Sequence, residues 1–582
     1  MKLPIVRLSA LAAVSMLATG VAMVPGQGRV TASPATVPAD CAADNGGLTL
    51  PPGFCATVFA DNLGHARHMT VADDGTVYVN TWESGDYFPH APSPTGGLVV
   101  ALKDRDGDGV ADVVERFGPS VARGGRGGTG IALWHGGLFV EEKDAVVRYA
   151  MAPGQMAPSG PAQVVVSGLV LGGDHPMHPF VIDASGTLLV NSGSATNTCE
   201  HPNRQPGAKG ADPCIEQQTR GGIWAYRADK LGQTFSPADR WATGIRNTGG
   251  MAFDSAGRIF ATQHGRDQLS QNWPALYNAE QGAELPNEIL FSPTKATDFG
   301  WPTCYYDATQ GHHVLAPEYG GDGGHVQGRC ATKTPPVAAF PAHWAPNDVA
   351  IYTARAFPAA FAEGAFIAFH GSWNRAPAPQ GGYLVAFQPL KDGKAAGQWI
   401  RFADGFAGEY REPGRAAHRP AGVAVGRDGA LYIADDVRGT IWRVTYHGPA
   451  DAALTDAPPA AIKSALSVGN GFSSAPPKPP AGSTVEEVAL GQRIYFGEAK
   501  AGACVGCHGS DGRGSAAGGS LVGPAYQWSD GSVDGLSATI TAGVAHPKHA
   551  SGAMPALGGS PLDAADVKAV AAYVWTLGHS SR

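Results

Sequence analysis

One pattern of apolar and polar positions recurs between residues 65 and 446. A short apolar run ends in Asp-Gly or a similar turn, and a second run follows in which Val, Ile, Leu and Tyr alternate with polar residues. It appears as HMTVADDGTVYVNT from His68, GIALWHGGLFVEEKDAVVRY from Gly130 and PFVIDASGTLLVNSGS from Pro179. It returns as GMAFDSAGRIFATQHG from Gly250 and AGVAVGRDGALYIADDVRGTIWRV from Ala421, with a weaker copy, DVAIYTARAFPAAFAEGAFIAFHGSW, from Asp348. Alternation with period two is that of a half-buried strand, and the turn residues supply the positive φ of a tight hairpin. Six such units joined by long loops predict an all-β, six-bladed propeller. A β-sandwich also repeats hairpins, but the regularity over this length favours the ring. The site of such a ring is expected on its central axis, lined by loops from several blades.

The pattern stops near Tyr446. Residues 447–483 are rich in Pro, Ala and Ser, end in SSAPPKPPAGS, and read as a linker. From Thr484 the spacing becomes helical, in VEEVALGQRIYFGEAKAG and again in DAADVKAVAAYVWTLG, with Asp563 or Asp566 near the start of the last helix and Gly578 after it. The expected organisation is a propeller over 41–446, a linker over 447–483 and a small all-α domain over 484–582. At the other end, Lys2 and Arg7 precede an Ala-rich apolar run over 8–24 that is short for a membrane span. Residues 1–32 read as an export signal, which places the mature chain in the periplasm of a Gram-negative-type bacterium; an uncleaved anchor is the alternative. No other stretch is apolar enough to cross a bilayer.

Composition sharpens this picture in two places. A net charge of −8 and the lack of a basic stripe argue against nucleic acid as a partner. Of the 8 cysteines, six fall as near neighbours: Cys41 with Cys55, Cys199 with Cys214, Cys304 with Cys330. In an exported chain an even set reads as disulfides. Local pairing is expected among the roughly 15 connectivities that six cysteines allow, and closing a loop of about 15 residues stabilises by about 3 kcal/mol.

The remaining two cysteines carry chemistry. CVGCH at 504–508 is a Cys-x-x-Cys-His motif, in which the thiols of Cys504 and Cys507 attach haem c and His508 takes one axial position on the iron. Met554, in SGAMPAL, is the expected sixth ligand, with His546 and His549 as alternatives; a His/Met pair raises the potential and suits electron transfer. Residues 485–577 resemble a class I bacterial cytochrome c, a likeness also carried by LVGPAYQW from Leu521 and by the closing helix with Tyr573 and Trp575.

A cytochrome tail implies that the propeller donates or accepts electrons, yet the propeller lacks a nicotinamide or flavin fingerprint. ARGGRGGTG at 122–130 does not sit between a strand and a helix, as a dinucleotide site requires. An ordered set of segments points elsewhere: GGDHPMHPFVIDASGTLLVNSGSATN at 172–197, TGIRN at 243–247, QHGRDQL at 263–269, PNEI and DFGWP within 286–302, FHGSWNR at 369–375 and HRPAGVAVGRDGALYIADD at 418–436. In content and order these resemble the glucose/sorbosone dehydrogenase family, propellers that bind pyrroloquinoline quinone. The resemblance implies a quinone on the axis above a Ca²⁺ ion, with His175 as general base while hydride passes to the quinone; His178 is the second candidate. It implies further that Arg246 and Asn247 contact the quinone, that Arg419 faces its carboxylates, and that the carbonyls of Gly265 and Arg266 bind Ca²⁺. The chain departs from the glucose branch in three places. Ser194 stands where an Asp supports the base, Arg375 where a cofactor Lys is expected, and Arg266 where a Pro is usual. It is thereby closer to the sorbosone branch.

A second calcium site is expected from DRDGDGVAD at 104–112. Asp104, Asp106, Asp108 and Asp112 alternate as in an EF-type loop, with Gly109 at its sixth position and Glu115 at its twelfth. The sequence thus predicts a quinohaemoprotein dehydrogenase acting on an aldose, a sorbosone-like aldehyde or a related alcohol. Its electrons pass through haem to an external acceptor, a small redox protein or the quinone pool. A carbohydrate-binding propeller with a relay cytochrome, and a calcium-dependent lactonase-type propeller, are the alternatives.

Overall fold

A computed structural model describes residues 41–582, apart from 83–94, 121–127, 377, 413–414, 463–477, 498, 501–503, 510–511, 515–517, 524–525, 546, 549–552 and 580–582. The expected export signal, His546, His549 and part of the linker therefore lie outside the described residues.

Six sheets follow one another in chain order as the blades of a propeller, antiparallel except where Gln233–Thr234 pairs in parallel with the edge of the second. Their innermost strands are His65–Val71, Ile131–Trp134, Phe180–Ile182, Met251–Phe253, Pro346–Ile351 and Pro420–Val425. Each of the six sequence hairpins forms the first two strands of one blade. At the turn of the third blade, the Asp183 carboxylate accepts the backbone N–H of Ser185 and of Thr187, and Gly186 takes φ +84°. This is the geometry that makes Asp and Gly necessary there. The ring closes on itself: Phe54–Ala60, from before the first blade, pairs with Ile441–Tyr446, the third strand of the sixth. Phe54 meets Phe357 and Phe402 edge-on, with ring centroids 4.8 and 5.0 Å apart, and ties the closing strand to the neighbouring blade.

Burial corrects one expectation. The alternation predicts half-buried second strands, but Val77–Trp82 and Ala365–Phe369 are buried along their whole length. These strands are covered by neighbouring blades on both faces, whereas the outer strand Val113–Phe117 is largely open to solvent. The three disulfides are the local ones, Cys41–Cys55, Cys199–Cys214 and Cys304–Cys330.

Beyond Tyr446 the chain first stays on the propeller. Ala457 donates to the carbonyl of Arg401, Arg401 donates to the carboxylate of Asp456, and Thr49 donates to the carbonyl of Pro458. The all-α region follows. Helix Val485–Tyr495 starts at a capping box of Thr484 and Glu487 and packs on the last helix, Ala564–His579. Gly491 permits this approach, since a Cβ there would lie 1.9 Å from the carbonyl of Ala569. Between them come Cys504–His508 and Val533–Ala542. No helix among the described residues is long and apolar enough to cross a membrane.

The tight hairpin turns lie at one end of the blades. At the other end emerge the loops over 168–179, 193–221, 244–250, 264–287, 341–345, 370–383 and 404–419. The helical region rests on that loop face. Ala376, from the fifth-blade loop, belongs to the helical region's core, and the backbone N–H of Ala556 donates to Gln205 Oε1 at 3.4 Å.

Candidate active site

The loop face gathers an unusual density of buried charge. Asp267 is its hub: Oδ2 accepts from Arg246 Nη2 at 2.8 Å and from Arg204 Nη2 at 2.9 Å. Arg204 also donates to Asp174 Oδ2 at 2.9 Å. Arg246 donates to Asn197 Oδ1 at 3.0 Å and to the carbonyl of Gly265 at 2.8 Å. Burial alone would raise the pKa of Asp267, but Arg246 and Arg204 hold it well below the usual carboxylate range.

His175 lies beside this hub. Its Nδ1 is 2.9 Å from Ser194 Oγ, and Ser194 Oγ donates its own proton to the carbonyl of Thr196 at 2.7 Å. The serine oxygen must therefore accept from His175, which places the ring proton on Nδ1 and leaves the lone pair on Nε2. Burial, then the charges of Arg246, His264 and Arg204, keep the pKa of His175 well below 6.5, so the ring is neutral, the form that a general base requires. His178 is held differently. It is buried, with Nδ1 3.3 Å from Glu141 Oε1, while Glu141 also accepts the backbone N–H groups of Thr129, Gly130 and His178. That is a structural clamp between blades. Asn247 Nδ2 meets His264 Nδ1 at 3.3 Å, and burial lowers the His264 pKa to about 3.

Across the axis, Asp436 Oδ2 sits 2.6 Å from both Arg67 Nη1 and His370 Nε2. Arg419 donates to the carbonyl of His370 at 3.1 Å and stands 5.8 Å from the centre of the Tyr383 ring. Arg375 does not join this group, contrary to expectation. Its guanidinium pairs with Glu284 and donates to the carbonyls of Ala283, Ala342 and Pro379, so its donors are spent on bracing the fifth-blade loop.

A planar polycarboxylate such as pyrroloquinoline quinone suits this donor set. Arg67, Arg246 and Arg419 converge with neutral imidazoles, and Arg67 Nε and Thr248 Oγ1 are buried without a hydrogen-bond partner among the described residues. Calcium at Gly265 and Arg266 fits less well. The Gly265 carbonyl already accepts from a guanidinium, and Arg266 turns its side chain into a bidentate pair with the buried Glu318, 2.7 Å to each oxygen. In the acidic loop, ligand oxygens of Asp104, Asp106 and Asp108 come within 4.8 Å of one another. Asp112 instead accepts the backbone N–H of Arg105, and Glu115 lies in the strand Val113–Phe117. Three of the five expected ligands are brought together.

The haem motif opens into a cavity lined by Cys504, Cys507, His508 and Met554, with Tyr495, Leu536 and Ile540 among its apolar walls. His508 Nδ1 donates to the carbonyl of Gly519 at 2.8 Å, which leaves Nε2 to face iron. The residues thus fit a covalent haem with His and Met as axial ligands. Part of the wall comes from the propeller: Gln268, Gln271, Trp373, Asn374 and Ala376 line the same cavity.

Sequence reasoning missed Arg204, Asp267, His264, His370, Asp436 and Trp373. Asp267, His264, His370, Asp436 and Trp373 lie inside quoted segments, where a cluster of charged and imidazole groups at loop positions was the available signal. Arg204 sits in an irregular loop with no such mark.

Fold and sites together define a β-propeller followed by a helical region that carries a haem-attachment motif. Residues 48–447 match the TrAA12-like family and residues 488–578 match cytochrome c. The chain belongs to the TrAA12-like family and carries a cytochrome c domain after the propeller. Among solved structures, the holo pyranose dehydrogenase PQQ domain of Coprinopsis cinerea is similar at 19% identity with a TM-score of 0.51, over 68% of this chain and 97% of that domain. A Trichoderma reesei enzyme of carbohydrate-active family AA12 is similar at 17% identity with a TM-score of 0.54, over 69% of this chain and 98% of that one. At such identity the likeness establishes the fold. A Borreliella burgdorferi protein of no assigned function is 27% identical over 209 residues, 35% of this chain and 48% of that protein. The match therefore spans about half the length of that relative.

Proposed function

We propose that this chain is a pyrroloquinoline-quinone-dependent sugar dehydrogenase of the periplasm that oxidises an aldose, a related aldehyde or an alcohol and passes the electrons to its own haem c. The observation that carries the reading is the oriented base. His175 keeps Nε2 free through Ser194 and Thr196, beside the guanidinium of Arg246. The quinone, when bound, supplies a hydride acceptor. His175 Nε2 takes the proton of the substrate hydroxyl. Arg246, fixed by Asp267 and Asn197, supplies positive charge where negative charge develops. Three disulfides suit an oxidising compartment. The Coprinopsis neighbour, a pyranose dehydrogenase by name, supports a sugar as substrate. We place Ca²⁺ at Asp104, Asp106 and Asp108, and the external acceptor, a small redox protein or the quinone pool, at the haem.

The test is a haem absorbance assay on calcium-loaded protein, with pyrroloquinoline quinone and a panel of aldoses, sorbosone and simple alcohols. Haem reduction that requires both quinone and a substrate, and is lost in His175→Ala, is expected. Lactone hydrolysis without quinone, or sugar binding with no reduction, would overturn the proposal in favour of a hydrolytic or purely binding propeller.

A further inference from the structure

The haem cavity and the axial charge cluster meet at a single aromatic side chain. Trp373 stands three positions after His370 in the fifth-blade loop, and it lines the haem cavity. The Arg204 guanidinium lies 5.9 Å from the centre of its ring. Arg204 in turn shares the Asp267 carboxylate with Arg246 and donates to Gln268 Oε1 at 3.3 Å, and Gln268 is also a wall of the haem cavity. From the other side, the middle glycine of the haem motif touches the same residue: a Cβ on Gly506 would lie 2.5 Å from the Trp373 carbonyl. Contacts of Gly559 with Gln271, and of Ala556 with Gln205, hold the same seam closed.

We infer that Trp373 is the bridge by which electrons leave the propeller for the haem, with Gly506 kept small so that the haem motif can seat against it. The inference rests on the proposed dehydrogenase reading. Oxidation of one alcohol to a carbonyl, or of one hydrated aldehyde to an acid, releases two electrons and two protons. The electrons cross the seam one at a time, each turning ferric iron ferrous. The second crosses after the first has gone to the external acceptor, and the protons leave to water. The aromatic ring is what this position requires. It offers a delocalised π-system in contact with the axial guanidinium on one side and the haem cavity on the other. Haem reduction is then internal to each molecule, and its rate does not depend on protein concentration.

The test uses the full holoprotein in three forms, native, Trp373→Phe and Trp373→Ala, with three readouts. These are the single-turnover rate of haem reduction by substrate, reduction of a soluble dye that takes electrons directly from the propeller, and the haem's absorption spectrum and midpoint potential. Trp373→Ala is expected to slow haem reduction by about tenfold or more, equivalent to about 1.4 kcal/mol in the barrier, with no change in haem spectrum or potential large enough to account for the slowing. Trp373→Phe restores most of the rate. Gly506→Ala slows haem reduction in the native background, because its Cβ meets the main-chain carbonyl of Trp373 and pushes the haem motif off the seam. Native rates in Trp373→Ala overturn the bridge. So does a shifted spectrum or potential that accounts for the slowing, since Trp373 is then only a wall of the haem pocket. Absence of dye reduction in native protein defeats the dehydrogenase reading itself, a failure distinct from either.

Discussion

Nδ1 of His175 rests 2.9 Å from the hydroxyl of Ser194, an uncharged partner for the imidazole. Serine orients the imidazole without stabilising its protonated form, which agrees with a pKa well below 6.5. The neutral, competent base therefore persists into acid, and the acidic limb of kcat/KM falls below the ordinary imidazole range. Ser194→Asp places a negative charge beside the ring, raises its pKa and moves that limb to higher pH. Ser194→Ala leaves the limb in place but lowers kcat/KM by about 10²-fold, the scale of a lost acid–base contribution. A pH profile of all three proteins checks this, and a limb that does not move in the Asp variant removes His175 from the role of base.

Asp267 predicts a stability effect with its own pH signature. Asp267→Asn leaves Arg204 and Arg246 buried without their shared carboxylate, a change that costs about 3–5 kcal/mol when a buried pair is broken. Because the folded pKa of Asp267 is depressed, its contribution is complete above the unfolded value of about 4 and is lost as pH falls through the folded value. Urea titrations of native and variant protein are expected to converge only in strong acid.

Glu288 runs the opposite way. Its two oxygens accept the backbone N–H groups of Gly265 and Ala345, yet burial raises its pKa from 4.5 to about 7. The unfolded chain releases this proton earlier than the folded one, so stability falls as pH rises between about 4.5 and about 7. Glu288→Gln removes that decline, up to about 3 kcal/mol at its upper limit. Melting temperatures from pH 5 to pH 8 measure it; an equal decline in both proteins assigns the effect elsewhere.

Met554 shares the haem cavity with His508. Met554→Leu is expected to keep the haem covalently attached, abolish the methionine–iron charge-transfer band and lower the midpoint potential. An unchanged spectrum would hand the sixth position to another ligand, His546 or His549.

The repeat made the ring legible because each blade's first hairpin carries its own turn chemistry, as Asp183 and Gly186 show. Burial was not legible, because alternation within a strand says nothing of a second blade covering its outer face. CVGCH made three candidate haem residues legible because the chemistry demands contiguous spacing. The axial site was only half readable. His175 and Arg246 lie in recognisable segments, but Asp267 acquires its meaning from Arg204, 63 residues away in the chain. Arg375 looked like an anion-binding residue because a guanidinium's type is visible in a sequence and its partners are not.

The ring is fastened by Phe54 against Tyr446, the two ends of the propeller. During synthesis, Phe54–Ala60 is made first and has no strand to pair with until Ile441–Tyr446 exists. The last blade therefore assembles only when the whole propeller has been translated, and the axial loops converge at that moment. Removing either strand leaves a ring with an open, unpaired edge. The haem motif lies beyond this fastening point, so the surface on which the cytochrome sits is complete just before its own chain arrives.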